Sequence, residues 1–136
     1  MSRLTVIPAF KVAAVPAAGA NCVLTSNEDL LIRAVFVALV TDANVANRQV
    51  HFTFENASGV VYARFTAGGT QAASLTRQYS GQPTLYASPA VADTNFVVAM
   101  PPDGIVLPNG GKIKTVTTLI QATDAFGALT AYGERV

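Results

Sequence analysis

The stretch that decides the fold is Arg48-Gln-Val-His-Phe-Thr-Phe-Glu55, followed by Asn56-Ala-Ser-Gly59 and Val60-Val-Tyr-Ala-Arg-Phe-Thr66. Apolar and polar side chains alternate along the first segment with a period of two, as expected of a strand that buries one face. The Asn-Ala-Ser-Gly break has turn chemistry, because Asn and Gly accept positive φ at little cost, and alternation resumes after it. The sequence therefore predicts an antiparallel hairpin and an all-β protein.

The most apolar segment runs from Leu30 to Thr41. A helix is the competing interpretation of such a short run, but its β-branched content and the turn signal after it favour a strand. Strict alternation would divide its apolar side chains into two faces, Leu30, Ile32, Ala34, Phe36, Ala38 and Val40 on one and Leu31, Val35, Val37 and Leu39 on the other. A strand that is apolar on both faces is covered on both, so we expect the second set to contact another subunit or an overlying N-terminal arm.

Turn signals recur about every ten residues along the rest of the chain, which is typical of a sandwich or barrel with about seven to nine short strands. We predict an antiparallel β-sandwich, with the jelly roll as its topology, forming a single domain over residues 22–136. Residues 1–21 are rich in Ala and Pro and are predicted to be either an extended N-terminal arm or a first strand. Two further strands are predicted: one from Ala73 to Ser80, ended by a turn at Gly81-Gln-Pro83, and one from Lys112 to Ala122.

The composition is unusually poor in charge. Only 12% of the 136 residues are charged while 51% are hydrophobic, and an ordinary domain has about 25% charged residues. Such a surface is weakly solubilising, which predicts a homo-oligomer (dimer or trimer) or another protein partner; the alternative is a plain neutral domain. The net charge of +1 without a Lys/Arg cluster argues against nucleic acid as a partner. The longest apolar run is too short to span a membrane and contains Arg33.

The residues that carry most protein chemistry are almost absent. Cys22 and His51 are the sole cysteine and histidine, which excludes an intrachain disulfide, a cysteine-based zinc site and a site with several His ligands. Without a nucleophile–base pair we predict no enzymatic activity and no cofactor or metal, and we interpret His51 as a surface histidine. Four aspartates could instead supply oxygen ligands for calcium, although their position in predicted turns already explains them: Asp42, Asp93, Asp103 and Asp124.

The apolar strand and turn from Arg33 to Arg48, together with the hairpin after them, carry a resemblance to known proteins. The turn reads "TDA-x-VANR", and three later stretches are similar in kind: Gln71 to Tyr79, Leu107 to Thr115 and Leu119 to Asp124. Over most of residues 30–132 the chain resembles small β-sandwich virion proteins of tailed bacteriophages, most of all capsid decoration (cement) proteins.

That resemblance implies a structural role. Decoration proteins of this type are often jelly rolls that sit on HK97-like shells and bridge neighbouring subunits, so the implied partner is the major capsid protein. The implied location is the capsid surface of the virion, after synthesis in the host cytoplasm, and no family catalytic residues carry over. A tail or head-fibre component that binds a receptor or carbohydrate is the alternative, and an enzyme on a jelly-roll or cupin-like barrel is disfavoured by the single histidine.

The predicted contact residues come from two segments. Pro8 and Pro16 resist helix formation in the N-terminal segment, and its small Ala residues permit close approach to a neighbour. The candidate interface residues are Val6, Ile7, Phe10 and Val12 in that segment and Leu31, Val35, Val37 and Leu39 on the apolar strand.

Overall fold

The computed structural model of the protein describes residues 7–83 and 95–136. Within these ranges the chain forms strands and no helix, so the predicted all-β class is confirmed. The eleven strands are β1 Ile7–Val12, β2 Val23–Thr25, β3 Leu30–Val40, β4 Gln49–Glu55, β5 Val61–Thr66, β6 Thr76–Pro83, β7 Asn95–Met100, β8 Ile105–Leu107, β9 Lys112–Thr118, β10 Ala125–Phe126 and β11 Thr130–Arg135.

The strands form two sheets that pack into a β-sandwich. The first sheet has the order β1-β11-β3-β6-β7, with β8 and β10 paired to the two ends of β3, and the second has the order β2-β9-β4-β5. Among the described pairs only β6 and β7 run parallel, so the first sheet is mixed rather than wholly antiparallel. The jelly-roll topology stays a prediction, and the predicted brief pairing at Leu85-Tyr86 lies outside the described residues.

The hairpin predicted from the alternating pattern is present as β4 and β5, paired antiparallel with Phe52 opposite Phe65. Val50, Phe52 and Phe54 point from β4 into the space between the sheets and are fully buried. Full burial of each such side chain contributes roughly 1.5–3 kcal/mol, which makes this alternation a strong determinant of strand orientation. Facing side chains of the first sheet complete one continuous core.

A β-bulge interrupts β3. Ala34 pairs with Tyr132 of β11 while Ile32 pairs with Gly133, the next residue, so Arg33 is an extra residue on β3. The two backbones are very close here, because a Cβ on Gly133 would lie 2.0 Å from the carbonyl oxygen of Leu31. Only glycine fits at such a contact, and the bulge shifts the side-chain alternation of β3 by one residue.

The bulge overturns the predicted division of β3 into two faces. Leu30 and Ile32 point into the core before it, and Val35, Val37 and Leu39 do so after it. These last three were predicted to contact another subunit or an overlying N-terminal arm, but they are core residues of the sandwich. The outward side chains beyond the bulge include Phe36 and Val40, which strict alternation had placed on the inner face.

Two predicted strand ends also differ from the structure. The predicted turn at Gly81-Gln-Pro83 is the last part of β6, where Gly81 allows a close approach: a Cβ there would lie 2.9 Å from Met100 Sδ. β9 ends at Thr118 rather than at Ala122, because Leu119 has a positive φ of 56° that breaks the extended backbone. The strand count exceeds the expected range because β2, β8 and β10 are only two or three residues long.

β1 lies at one edge of the first sheet and pairs antiparallel with β11 from Ile7 opposite Arg135 to Val12 opposite Thr130. Residues 7–12 are therefore a strand of the domain. The alternative of a free arm stays a prediction for residues 1–6, which lie outside the described part of the chain.

Candidate interaction surface

Large apolar side chains are exposed on the outer face of the first sheet. We call this set the apolar face: Phe10, Val12, Phe36, Val40 and Tyr132. Phe10 of β1 is directly opposite Tyr132 of β11. In the next cross-strand row, Thr130 pairs with Val12 on one side and with Phe36 on the other. Pairing thus places Phe10, Val12, Phe36 and Tyr132 side by side across three adjacent strands. Val40 follows Phe36 by four residues on the same side of β3.

The apolar face is comparable in area to the largest apolar patch of a typical monomer. Phe10, Tyr132 and Phe36 are 63%, 47% and 43% exposed. Since a buried aromatic side chain covers about 150–250 Å², these three expose on the order of 250–400 Å², and the two valines add to it. The largest apolar patch on a typical monomer is roughly 300–600 Å² and often functional, so the apolar face has the dimensions of an interaction site.

A groove lies beside the apolar face, between β3, β6 and β7. Its volume is about 450 Å³, and Phe36 forms part of its wall. The polar side chains that line it are neutral amides and hydroxyls: Gln78, Ser80, Gln82, Asn95 and Thr130. The groove therefore offers hydrogen-bonding groups without charge, next to one exposed aromatic ring.

The outer face of the second sheet carries charged side chains, beside exposed valines such as Val23 and Val116. The register places Arg64, Lys112 and Lys114 around Glu55, and the Lys114 ammonium is 3.0 Å from the Glu55 carboxylate. His51 lies on this face but is covered by its neighbours, so it is not the exposed surface histidine that was predicted. Its Nδ1 is 2.7 Å from Thr66 Oγ1, and burial, with the nearby Arg64 charge, lowers the pKa of His51.

A buried ion-pair cluster closes one end of the sandwich. The guanidinium of Arg48, the residue just before β4, is fully buried. It donates to both carboxylate oxygens of Asp124 at 2.9 Å, to Asp42 at 2.7 Å and to the Ala46 carbonyl at 2.8 Å. Buried charges persist only when paired and hydrogen-bonded, and every donor–acceptor contact here meets that requirement.

Further hydrogen bonds hold the two carboxylates in the ionised form. Burial raises the pKa of Asp124, but the Arg48 guanidinium and the backbone N–H groups of Asp42 and Gln121 outweigh it and lower the pKa. The pKa of Asp42 is also lowered, because hydrogen bonds from Thr123 and Asn44 outweigh the effect of burial. Both aspartates are thus occupied by groups of their own chain, and the cluster ties the loops at residues 41–48 and 118–125 together.

Sequence reasoning did not single out Arg48. The signal was present in the "TDA-x-VANR" turn, where an Asp and an Arg six residues apart flank a loop. Turn chemistry alone explained the aspartates, and Asp124, 76 residues from Arg48, gave no local cue. Asp93, another of the proposed calcium ligands, lies outside the described residues.

The predicted interface residues fall in different places. Phe10 and Val12 belong to the apolar face, and Ile7 is exposed at the start of β1. Leu31 is half-buried on β3, and Val6 lies outside the described residues. Val35, Val37 and Leu39, as noted, are in the core. Sequence reasoning missed Tyr132 and assigned Phe36 to the wrong face; the alternation of β11 could have indicated the first, whereas the second depended on the bulge.

The remaining candidate groups are Cys22 and the acidic side chains. Cys22 is buried, and burial raises the pKa of its thiol to about 11, so the thiol stays protonated at neutral pH. Among residues 7–83 and 95–136, no group of three His, Cys, Asp or Glu side chains is placed to hold a metal ion. The same ranges contain no helix long and apolar enough to cross a membrane.

Comparison of the chain with protein families, with curated proteins and with solved structures gives no match. The apolar face is therefore the main indication of function that the chain itself offers.

Proposed function

We propose that this protein is a structural virion protein, a capsid decoration (cement) protein that binds the major capsid protein of a tailed bacteriophage. In this role it is a homo-oligomer on the capsid surface and stabilises the shell by bridging neighbouring subunits. The observation that carries the proposal is the apolar face, a low-charge exposed surface of the size that interaction sites have. The resemblance of residues 30–132 to phage virion proteins supplies the kind of partner.

The energetics of the apolar face favour many weak contacts over one strong contact. Burying on the order of 400 Å² of apolar surface at about 25 cal/mol per Å² gives about 10 kcal/mol before costs. Association itself costs an estimated 4–15 kcal/mol, so a single face gives at best modest affinity. A symmetric oligomer that engages several lattice subunits gains avidity without any new type of contact, which is the arrangement of a bridging protein.

The proposal includes no catalytic step. The carboxylates of Asp42 and Asp124 are committed to Arg48. His51 is packed against Thr66 on the outer face of the second sheet, away from Cys22, whose thiol donates to the Gly127 carbonyl. Robust hydrolysis by the purified protein, abolished in a His51→Ala variant, would contradict this part of the proposal.

The test uses capsids of the phage that encodes the chain, prepared from a mutant that lacks its gene. Purified protein should co-sediment with these capsids and raise their temperature of disruption. Val40→Asp, which places a charge on the apolar face, should weaken binding at least tenfold. Val116→Asp is the matched control: Val116 is 37% exposed on the outer face of the second sheet and Val40 47% exposed on the first. Equal weakening by both variants, or no co-sedimentation of the parent protein, would refute the proposal.

A tail or head-fibre protein that binds a receptor or carbohydrate is the second candidate, and the groove beside the apolar face is the observation that favours it. Neutral amides such as Gln78 and Asn95 beside the ring of Phe36 are groups that suit an uncharged sugar. Binding on a glycan array that Gln78→Ala abolishes, with antibody label on the tail in electron micrographs, would favour this candidate over a capsid protein.

A further inference from the structure

The edge of the first sheet at β1 carries backbone hydrogen-bonding groups that no strand among residues 7–83 and 95–136 pairs with. In the described residues, β1 pairs only with β11. The Ala13 N–H donates to the Leu129 carbonyl at 2.8 Å, which makes Ala13 and Leu129 a hydrogen-bonded pair. Such pairs alternate along an antiparallel ladder, so Ala9 and Lys11 also bond to β11, while the backbone groups of Phe10 and Val12 face the open edge.

Within the described part of the chain, the open edge has few of the features that protect edge strands. Natural edge strands are usually blunted by charge, proline or a bulge. Here Pro8 removes one outward N–H, but Phe10 and Val12 keep theirs and are among the exposed apolar side chains. The one cation, Lys11, is neutralised locally, since its ammonium is 2.8 Å from the Glu28 carboxylate. The edge therefore presents free donors and acceptors flanked by apolar side chains.

We propose that a second copy of this chain binds at this edge, with the two β1 strands paired antiparallel about a two-fold axis at Phe10. This pairing is the self-association contact of the proposed homo-oligomer, and its biological role rests on the proposed function. The two first sheets become one continuous sheet, and the two apolar faces join into one continuous surface.

The edge chemistry favours this register over one with its axis at Lys11. With Phe10 opposite Phe10 of the second copy, Val12 lies opposite Pro8, and the Val12 N–H donates to the Pro8 carbonyl in each direction. Two more bonds join the Phe10 backbones, and Lys11 lies opposite Ala9. A shift of the axis by one residue to Lys11 would place the two lysines directly opposite each other, which is unfavourable.

The expected interface is small but sufficient for a weak dimer. Phe10 alone, 63% exposed, has on the order of 100–150 Å² of uncovered surface, and Ile7, Val12 and the strand backbone add to it. The two copies together would bury on the order of 1,000 Å², the lower end for specific interfaces. A dissociation constant in the micromolar range or weaker is expected, so the dimer forms at high concentration or when capsid binding concentrates the copies.

Disulfide cross-linking tests the register directly. Opposed residues of a hydrogen-bonded antiparallel pair have Cα atoms about 5.5 Å apart, within the range of a disulfide. Phe10→Cys should therefore give a covalent dimer when oxidised with copper phenanthroline. Val12→Cys is the matched control, because its two copies would lie about 14 Å apart. The parent protein should not cross-link, since its Cys22 is buried.

A mixture of the Pro8→Cys and Val12→Cys variants is the positive control. These two positions are opposed in the proposed register, so oxidation of the mixture should give a disulfide-linked dimer of one variant with the other. Cross-linking of Val12→Cys as efficient as that of Phe10→Cys would overturn the register. Absence of any Phe10→Cys dimer, with a parent protein that stays monomeric at hundreds of micromolar in sedimentation equilibrium, would overturn the dimer.

A proline tests the backbone contribution. Val12→Pro removes an N–H that faces away from β11 and thus spares the ladder within the chain. It should weaken dimerisation at least tenfold, whereas Val12→Thr, which keeps the N–H, should weaken it far less. Unchanged circular dichroism would show that the Val12→Pro monomer is folded, and equal dimerisation of the two variants would overturn the pairing. These measurements use no capsid, so failure of the dimer is distinguishable from failure of capsid binding.

Discussion

Two regions of this protein invert the usual placement of residues, and they do so differently. The cluster around Arg48 buries the charged side chains of Arg48 and Asp124 at one end of the sandwich, whereas the apolar face exposes three aromatic rings to solvent. Each charge of the cluster finds its partners within the chain. The rings of the apolar face remain exposed in the described structure. A buried charge that has all its partners within the chain is explained by folding. An exposed apolar side chain without such partners indicates a binding partner outside the chain.

The largest expected effect comes from removing the centre of the cluster. Arg48→Met should lower the free energy of unfolding by roughly 3–5 kcal/mol, because it leaves the Asp124 carboxylate buried and uncompensated. Urea denaturation followed by circular dichroism measures the loss. Arg33→Met is the control: Arg33 is half-exposed and pairs with Glu134 at 3.4 Å, so less than about 1 kcal/mol should be lost. Similar small losses for both variants would contradict a structural role for the cluster.

The next effect concerns the bulge that turns Phe36 outward. Gly133→Ala should destabilise the protein by roughly 1–3 kcal/mol or more, since the added methyl would overlap the Leu31 carbonyl unless β11 moves. Gly127→Ala serves as the control, because a Cβ there would meet its nearest atom, the Ala38 carbonyl oxygen, only at 3.9 Å. Thermal denaturation of the two variants separates a steric clash from the general effect of replacing glycine.

The acid sensitivity of the cluster should be measurable in the parent protein. The folded-state pKa values of Asp42 and Asp124 lie below their unfolded values. Their contribution to stability is therefore complete above the unfolded pKa of about 3.9 and is lost as the pH falls through the folded-state pKa. Asp124→Asn should be much less stable than the parent near neutral pH, with a difference that shrinks below about pH 4. A difference that is constant across pH would contradict the assignment.

The smallest effect on stability is expected at the apolar face. The contrast with the large effect expected in the Arg48 cluster tests whether the two regions differ as described. Phe10→Ser should change the free energy of unfolding by no more than about 0.5 kcal/mol, because the ring is largely exposed. The same variant should reduce binding of a hydrophobic dye and weaken dimerisation. Val116→Ser, on the second sheet, should leave both unchanged. A large loss of stability in Phe10→Ser would mean that the ring belongs to the folding of the chain and not to its surface.

The local sequence pattern was enough to predict a strand or turn wherever the residues that determine it lie close together in the sequence. The β4–β5 hairpin follows from alternation around the Asn56–Gly59 turn, and Asn56 itself accepts the N–H groups of Ser58 and Val60. β3 was predicted as a strand, and it is one. The candidate surface was predicted in part, since exposed Phe10 and Val12 lie on the segment that was expected to contact a neighbour.

The outward faces could not be predicted, because they depend on contacts between distant residues. The bulge in β3 exists because Gly133 lies against Leu31, and nothing within residues 30–41 indicates it. Asp124, the buried partner of Arg48, likewise comes from another loop. From the sequence alone it was therefore interpreted as a turn residue and not as half of a buried salt bridge.

By itself, the sequence determined the all-β class, the main hairpin, the low surface charge and the scarcity of reactive side chains, because these depend on composition and on period-two patterns. Only the tertiary structure decided which side of β3 is buried, that Phe36 and Tyr132 join Phe10 on one surface, and that Arg48 is enclosed. The physical reason is that a one-residue shift in strand pairing reverses every side chain beyond it, and pairing is settled between strands far apart in the chain.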